Sequence, residues 1–143
     1  GEQSARAQCG RDNMISREYL ESFLIRTEMD HREIGESMWL VDPVKDAEED
    51  HPAVVVSLSP PLVIFRASIG TAPEGDHARL KLYQTLLELN ASDLVHGAYG
   101  LEGEEVILVD ALELQDLDYS EFLASLESLS LAVTSHVQQL GLD

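Results

Sequence analysis

The most regular pattern of apolar and polar residues lies near the C-terminus, where apolar residues recur at intervals of three and four. That period is typical of one face of an α-helix. Asp118 and Glu121 are three residues apart, as in a capping box, and Gly141 is a typical helix stop. The sequence therefore predicts a final helix of about 22 residues, roughly 33 Å long. Its predicted apolar face consists of Phe122, Leu126, Leu129, Val133, Val137 and Leu140.

Two further helices are predicted upstream. The first begins at Ser16, whose hydroxyl can cap it, and ends near Glu28. The second begins at Asp76 and ends at Asn90, a residue type that tolerates the left-handed conformation of a C-cap. Apolar residues extend around much of the second helix, which indicates contacts on more than one side. These residues are Leu80, Leu82, Tyr83, Leu86, Leu87 and Leu89.

Runs rich in branched and aromatic residues predict five strands. Residues 33–41 alternate between apolar and small or polar positions, with Glu36 as the exception. Residues 53–58 contain three consecutive valines, which is typical of a strand central in its sheet. Residues 62–69 follow so closely that we expect the two runs to pair in antiparallel fashion. The remaining predicted strands are residues 93–99 and 105–109.

The predicted order of elements is α-β-β-β-α-β-β-α. Such an order is typical of an α+β fold in which an antiparallel sheet packs with helices. A chain of 143 residues is long enough to bury one hydrophobic core. We therefore expect a single domain over residues 14–143, preceded by a polar N-terminal extension over residues 1–13.

The net charge of the chain disfavours two classes of binding partner. It has 27 acidic residues and 9 basic ones, which gives a formal net charge of −18. A surface this negative repels phosphate backbones and anionic lipids, so we expect no nucleic-acid and no membrane partner. No apolar run approaches the roughly 20 residues that span a membrane. Cys9 is the only cysteine, so no disulfide within the chain is possible, and a cytoplasmic location is expected.

The sequence contains none of the motifs that are typical of catalytic or cofactor sites. There is no glycine-rich phosphate loop, no paired-cysteine metal motif and no nucleophile elbow. Three Asp-His pairs lie at predicted loops or element ends, where both residue types are common for solvation and capping. We therefore predict no catalytic residue, no metal site and no cofactor. The pairs are Asp30-His31, Asp50-His51 and Asp76-His77.

One segment resembles the second half of a calcium-binding EF-hand loop. With Glu121 at its last position, Asp110 would occupy the first. The third and fifth positions would then be Leu112 and Leu114, which offer no side-chain oxygen, and Gln115 would stand where glycine is needed. This comparison excludes a calcium site, and the same residues are explained by the helix cap.

The order of elements and several short motifs resemble a known family over about residues 14–141. The motifs are Leu86-Leu-Glu-Leu-Asn90, Gly97-Ala-Tyr-Gly-Leu101 and Val106-Ile-Leu-Val109, followed by the long final helix. In these features the chain resembles the class I chaperones of bacterial type III secretion, of the Tir-chaperone type, and the related YbjN-like proteins.

The resemblance implies a homodimer without enzymatic activity that holds an extended segment of a client protein. By position, the first helix and first strand would bind the client, and the second helix would supply the dimer interface. The client-binding residues would be Phe23, Ile34, Met38 and Leu40, and the dimer residues would be Leu82, Leu86 and Leu89. The YbjN-like alternative is a regulatory module that binds a signalling protein, and a small-ligand-binding or catalytic domain is a third possibility.

Overall fold

A computed structural model describes residues 16–42 and 52–142. Helix α1 covers residues 16–27, and two longer helices follow it: α2 (Asp76–Ser92) and α3 (Tyr119–Leu140). The strands are β1 (Asp30–Gly35), β2 (Met38–Asp42), β3 (Val54–Ser59), β4 (Leu62–Thr71), β5 (Ala98–Glu102) and β6 (Glu105–Glu113).

The six strands form one antiparallel sheet in the order β1-β2-β3-β4-β6-β5. Helix α3 packs across β3, β4 and β6, and α2 lies against β5. The predicted α+β class, an antiparallel sheet packed with helices, is confirmed. The predicted N-terminal extension, the cap at Ser16 and Cys9 depend on residues 1–15, which lie outside the described residues.

The structure has one strand more than the predicted order, because residues 33–41 form a hairpin. β1 ends at Gly35, the chain turns through Glu36 and Ser37, and β2 begins at Met38. Ser37 has a φ of 58°, in the left-handed region that tight turns use. Glu36, the exception in the alternating pattern, marks this turn.

The segment after α2 also differs from the prediction. A strand was predicted over residues 93–99, whereas residues 93–97 connect the helix to β5, which begins at Ala98 and ends at Glu102. Asn90 lies inside α2, and Asp93 is the C-cap in a right-handed conformation, so the predicted left-handed cap at Asn90 is wrong. The side chain of Asn90 instead binds the backbone of Tyr99.

The local signals of α3 are confirmed. Asp118 Oδ1 accepts a hydrogen bond from the backbone N–H of Glu121 at 2.8 Å. At the other end, Gly141 has a φ of 58° and its N–H donates to the carbonyl of Val137. Both caps are formed by residues within three or four positions of the helix end, which is why the sequence predicted them correctly.

The core lies between one face of the sheet and the helices. Phe65 of β4 and Phe23 of α1 both contact Phe122 of α3, with ring centroids 5.4 and 5.3 Å apart. We call this side of the sheet the covered face. Its fully buried residues are Val41, Val54, Val56, Val63, Phe65, Val106 and Leu108.

Candidate protein-binding surface

The opposite side of the sheet carries a second set of apolar residues. Successive side chains of a strand point to opposite faces, so the residues between the buried ones point away from the helices. In β4, for example, Val63, Phe65 and Ala67 are buried, whereas Leu62 and Ile64 are only half-buried. We call this side the open face. Its apolar residues are Met38, Leu40, Val55, Leu62, Ile64, Ile107 and Val109.

The register of the strands brings these residues into adjacent rows. Leu40 pairs with Val55, and Val55 in turn pairs with Arg66. Arg66 pairs with Val109, so one row crosses four strands. A second row runs from Met38 through Ser57 and Ile64 to Ala111. The open face is therefore a largely apolar surface, interrupted by Ser57 and Arg66, on a hydrogen-bonded sheet.

Charged groups lie on the open face where the second half of β4 is next to β6 and β5. Arg66 Nη1 is 2.7 Å from Glu102 Oε2. This hydrogen bond raises the pKa of Arg66 and lowers that of Glu102. Glu105 accepts hydrogen bonds from the hydroxyls of Ser68 and Thr71. The polar end leaves the β2–β4 half of the face as its most apolar part.

Three of the four predicted client-binding residues lie on or beside the open face. Ile34 is 45% exposed and Met38 is 38% exposed, and both belong to the β1–β2 hairpin. Leu40 is half-buried and lines a depression beside His31 and Arg32. The structure brings these three residues together.

Phe23 is not brought to this surface. Its side chain is only 5% exposed and lies among the rings of Tyr19, Tyr119 and Phe122 on the covered side of the sheet. An aromatic side chain at the centre of such a cluster stabilises the core and has little area left for a client. The prediction missed the open-face residues Val55, Ile64 and Val109, which belong to runs of consecutive apolar residues with no alternation that separates the two faces.

The predicted dimer residues of α2 are also buried within a single chain. Leu82, Leu86 and Leu89 are each at most 7% exposed, so they offer a partner almost no area. The apolar residues that α2 does expose are Leu80, at 67%, and Leu87, at 69%.

Leu87 lies in a groove between α2 and β5. This α2–β5 groove has a volume of about 260 Å³ and an almost wholly apolar lining. Leu101 of β5 also lines the groove and is 44% exposed. The groove therefore presents apolar surface at the edge of the sheet. Its lining is Tyr83, Leu86, Leu87, Asn90, Tyr99, Gly100 and Leu101.

A buried polar network lies beneath this groove. The hydroxyl of Tyr99 is 2.6 Å from Nδ1 of His136, and Nε2 of His136 is 3.3 Å from Oδ2 of Asp93. Burial raises the pKa of Tyr99 to about 12. The network connects the end of α2, strand β5 and helix α3, and so holds the groove in one shape.

The described residues include no group of three or more His, Cys, Asp or Glu side chains placed to bind a metal ion. The pair Asp50-His51 lies outside residues 16–42 and 52–142. Within those same ranges, no helix has the length and apolar character that a membrane span requires.

Comparison with known sequences identifies one family. The sequence model of the CesT_Tir_1 family matches residues 14–142, almost the whole chain. No curated protein matches the sequence.

Solved structures share the fold at low sequence identity. YbjN from E. coli has a TM-score of 0.61 and 17% identity, covering 85% of this chain and 91% of its own. A chain of the heterodimeric ExoU–SpcU complex, from the type III secretion system of Pseudomonas aeruginosa, has a TM-score of 0.62 and 15% identity. The match covers 82% of this chain and 93% of that one. A chain of the HopA1–SchA chaperone–effector complex has a TM-score of 0.60 and 10% identity. The match covers 87% of this chain and 97% of that one.

Proposed function

The chain belongs to the CesT_Tir_1 family, and from that premise we propose that it is a non-enzymatic chaperone that holds a segment of a client protein. The observation that carries this proposal is the open face, a largely apolar surface on the side of the sheet away from the helices. Surfaces of this kind in a folded domain are typical of protein-interaction sites. The fold shared with chaperone–effector complexes supports the same role.

The energetics of the open face fit a reversible complex. Fully burying a Val, Leu, Ile or Met side chain contributes about 1.5–3 kcal/mol, and these residues are already half-buried in the single chain. Each therefore contributes about 1 kcal/mol when a client covers it. A client segment loses conformational freedom when it is ordered on the surface, which offsets part of this gain. The client is then held firmly enough to stay associated and can still be released.

The charge of the chain selects among possible client segments. A net charge of −18 attracts positively charged segments and repels acidic ones. Apolar side chains on the client would contact the β2–β4 half of the open face, and basic side chains would lie toward its acidic surroundings. We infer a client segment that is both apolar and basic, bound in the cytoplasm.

The test is a pair of matched substitutions. Ile64→Asp places a carboxylate in the middle of the open face, whereas Leu131→Asp makes the same kind of change at a residue of α3 that is 68% exposed. Each variant is co-expressed with the protein encoded beside it in the genome, and the recovered complex is quantified. We expect Ile64→Asp to reduce recovery at least tenfold and Leu131→Asp to leave it unchanged. Equal recovery with both variants would count against the open face as the client site.

We further propose that two copies associate through the α2–β5 groove. A two-fold contact needs one surface that is complementary to itself, and the exposed Leu80, Leu87 and Leu101 supply apolar area beside the groove. Light scattering over a range of concentrations measures the mass. We expect two chains for the natural sequence and for Leu131→Asp, and one chain for Leu87→Asp. A mass of one chain for the natural sequence at every concentration would overturn the dimer.

The regulatory alternative is tested by the same co-purification. YbjN shares the fold at a similar TM-score, and at 17% identity that likeness shows the fold alone. The family match favours a client-holding role. Recovery of a folded signalling protein whose binding is insensitive to Ile64→Asp would support the regulatory role instead.

A further inference from the structure

The sheet has two edge strands, β1 and β5. The outward backbone groups of an edge strand are a template for pairing with a strand of another chain. In an antiparallel pair, alternate residues direct both backbone groups toward the partner strand, and the residues between them direct both groups away. On β5, Tyr99 and Leu101 are the outward residues, because the backbone groups of Tyr99 point away from β6 toward α2.

The side chain of Asn90 occupies the first of these outward positions. Its Oδ1 accepts a hydrogen bond from the backbone N–H of Tyr99 at 2.7 Å. Its Nδ2 donates to the backbone carbonyl of the same residue at 3.2 Å. One carboxamide therefore makes both of the bonds that a residue of a seventh strand would make in an antiparallel ladder.

The position of Asn90 holds this contact in place. Asn90 lies in the last turn and a half of α2, next to Leu89, and one turn after Leu86. Both leucines are buried, so the helix is anchored on the side that faces β5. The carboxamide remains at Tyr99 for as long as α2 stays packed.

The β5 edge would otherwise favour strand pairing. The sequence of β5 is Ala-Tyr-Gly-Leu-Glu, with one charged residue, and the apolar α2–β5 groove runs beside it. Natural sheets protect such edges with charges, proline, bulges or a covering segment. In β5 the only charge is Glu102, which is already paired with Arg66.

We propose that Asn90 closes the β5 edge, so that a second copy of this chain cannot extend the sheet through its own β5. Copies then meet at this side through side chains and not through a sheet that continues from one copy into the other. The closure acts on the single chain and holds whether that chain is a monomer or the proposed dimer.

The first measurement is hydrogen exchange of the Tyr99 amide at low protein concentration, where copies do not assemble. Asn90→Ala removes both bonds, and we expect that amide to exchange at least tenfold faster than in the natural sequence. Asn90→Asp keeps the acceptor and loses the donor, so an intermediate rate is expected. The control is Gln84→Ala, which removes a carboxamide from the exposed side of the same helix. Natural exchange rates in Asn90→Ala would overturn the proposal.

The second measurement is the mean mass over a dilution series, relative to the natural sequence. We expect Asn90→Ala to stay associated at concentrations at least tenfold lower than the natural sequence and Gln84→Ala. Leu101→Pro removes the other outward amide of β5, and we expect Asn90→Ala to have no effect on the mass when it is compared with Asn90 in that background. An equal effect of Asn90→Ala with and without Leu101→Pro would show that the added association forms elsewhere and would refute strand pairing at β5.

Far-ultraviolet circular dichroism and urea unfolding identify any variant that fails to fold. If Asn90→Ala fails, Asn90→Asp carries the test, since it retains one bond to Tyr99. A monomeric natural sequence would refute the proposed dimer and leave this proposal standing, because only the increase in mass over the natural sequence is decisive here.

Discussion

The two faces of the sheet are made from the same strands and the same kinds of residues, yet they differ in how deeply their side chains are buried. Phe65 and Ile64 are neighbours in β4, both large and apolar. Phe65 is fully buried against Phe122, and Ile64 is half-buried on the open face. The difference shows that residue type does not decide between the core and the open face. What decides is which face the helices cover.

The largest expected effect on stability comes from truncating a buried side chain of the covered face. Phe65→Ala leaves a cavity beneath α3 and should lower the free energy of unfolding by about 3–5 kcal/mol. Ile64→Ala, its neighbour on the open face, should lower it by less, about 1–2 kcal/mol, since that side chain is only partly buried. Urea unfolding of the two variants measures both values. Equal losses would show that the open face is covered in the folded protein.

A second test uses pH on the polar network of the covered face. Tyr99 has a pKa of about 12 in the folded protein and 10.0 as its ordinary value. Between these values the unfolded chain has released the Tyr99 proton and the folded chain retains it, so stability falls as pH rises. The slope is at most about 1.4 kcal/mol per pH unit.

Tyr99→Phe removes this ionisation, and the other tyrosines contribute equally to both proteins. Unfolding free energies measured from pH 9 to 12 should therefore diverge in slope, with the natural sequence losing stability faster. Parallel curves would mean that Tyr99 ionises as readily in the folded state as in the unfolded one.

The third prediction compares Gly97 and Gly100, two glycines whose added Cβ atoms would point to opposite sides of the sheet. Gly97 has a φ of 83°, and an added Cβ would lie 3.0 Å from Leu129 Cδ1 and 3.1 Å from the carbonyl of Val109. Gly97→Ala should cost about 1–3 kcal/mol, because the backbone is strained and the covered side has no space.

Gly100 is the matched control. No atom lies within 4 Å of a Cβ added there, and its backbone is in an ordinary conformation. Thermal unfolding should show a clear decrease in the midpoint for Gly97→Ala and little change for Gly100→Ala. A similar decrease for both would indicate that β5 is equally crowded on its two sides.

Much of the fold was predictable because its signals are local. The caps of α3 at Asp118 and Gly141 involve neighbours along the chain, and both were correct. The hairpin at Ser37 was missed because its strands are short and share one alternating pattern. The apolar circumference of α2 predicted contacts on more than one side, whereas within the chain only Leu82, Leu86 and Leu89 are buried and Leu80 and Leu87 are exposed.

The candidate surfaces were predictable only in part. A family resemblance assigned Ile34, Met38 and Leu40 to client binding as residues of one strand, and the structure brings them to one surface. Phe23 was placed with them, although it is buried among aromatic rings from α1 and α3. The period of a helix shows which residues share a face, and it does not show what that face contacts.

The amino-acid sequence by itself determined the α+β class, the limits of the final helix, the strong acidity and the lack of catalytic motifs. These properties depend on composition and on residues close together in the chain. Only the tertiary structure decided which face of the sheet stays open, which leucines of α2 remain accessible and what Asn90 binds. Each of these depends on segments that meet through strand pairing and helix packing. Their contacts are therefore absent from any local pattern of apolar and polar residues.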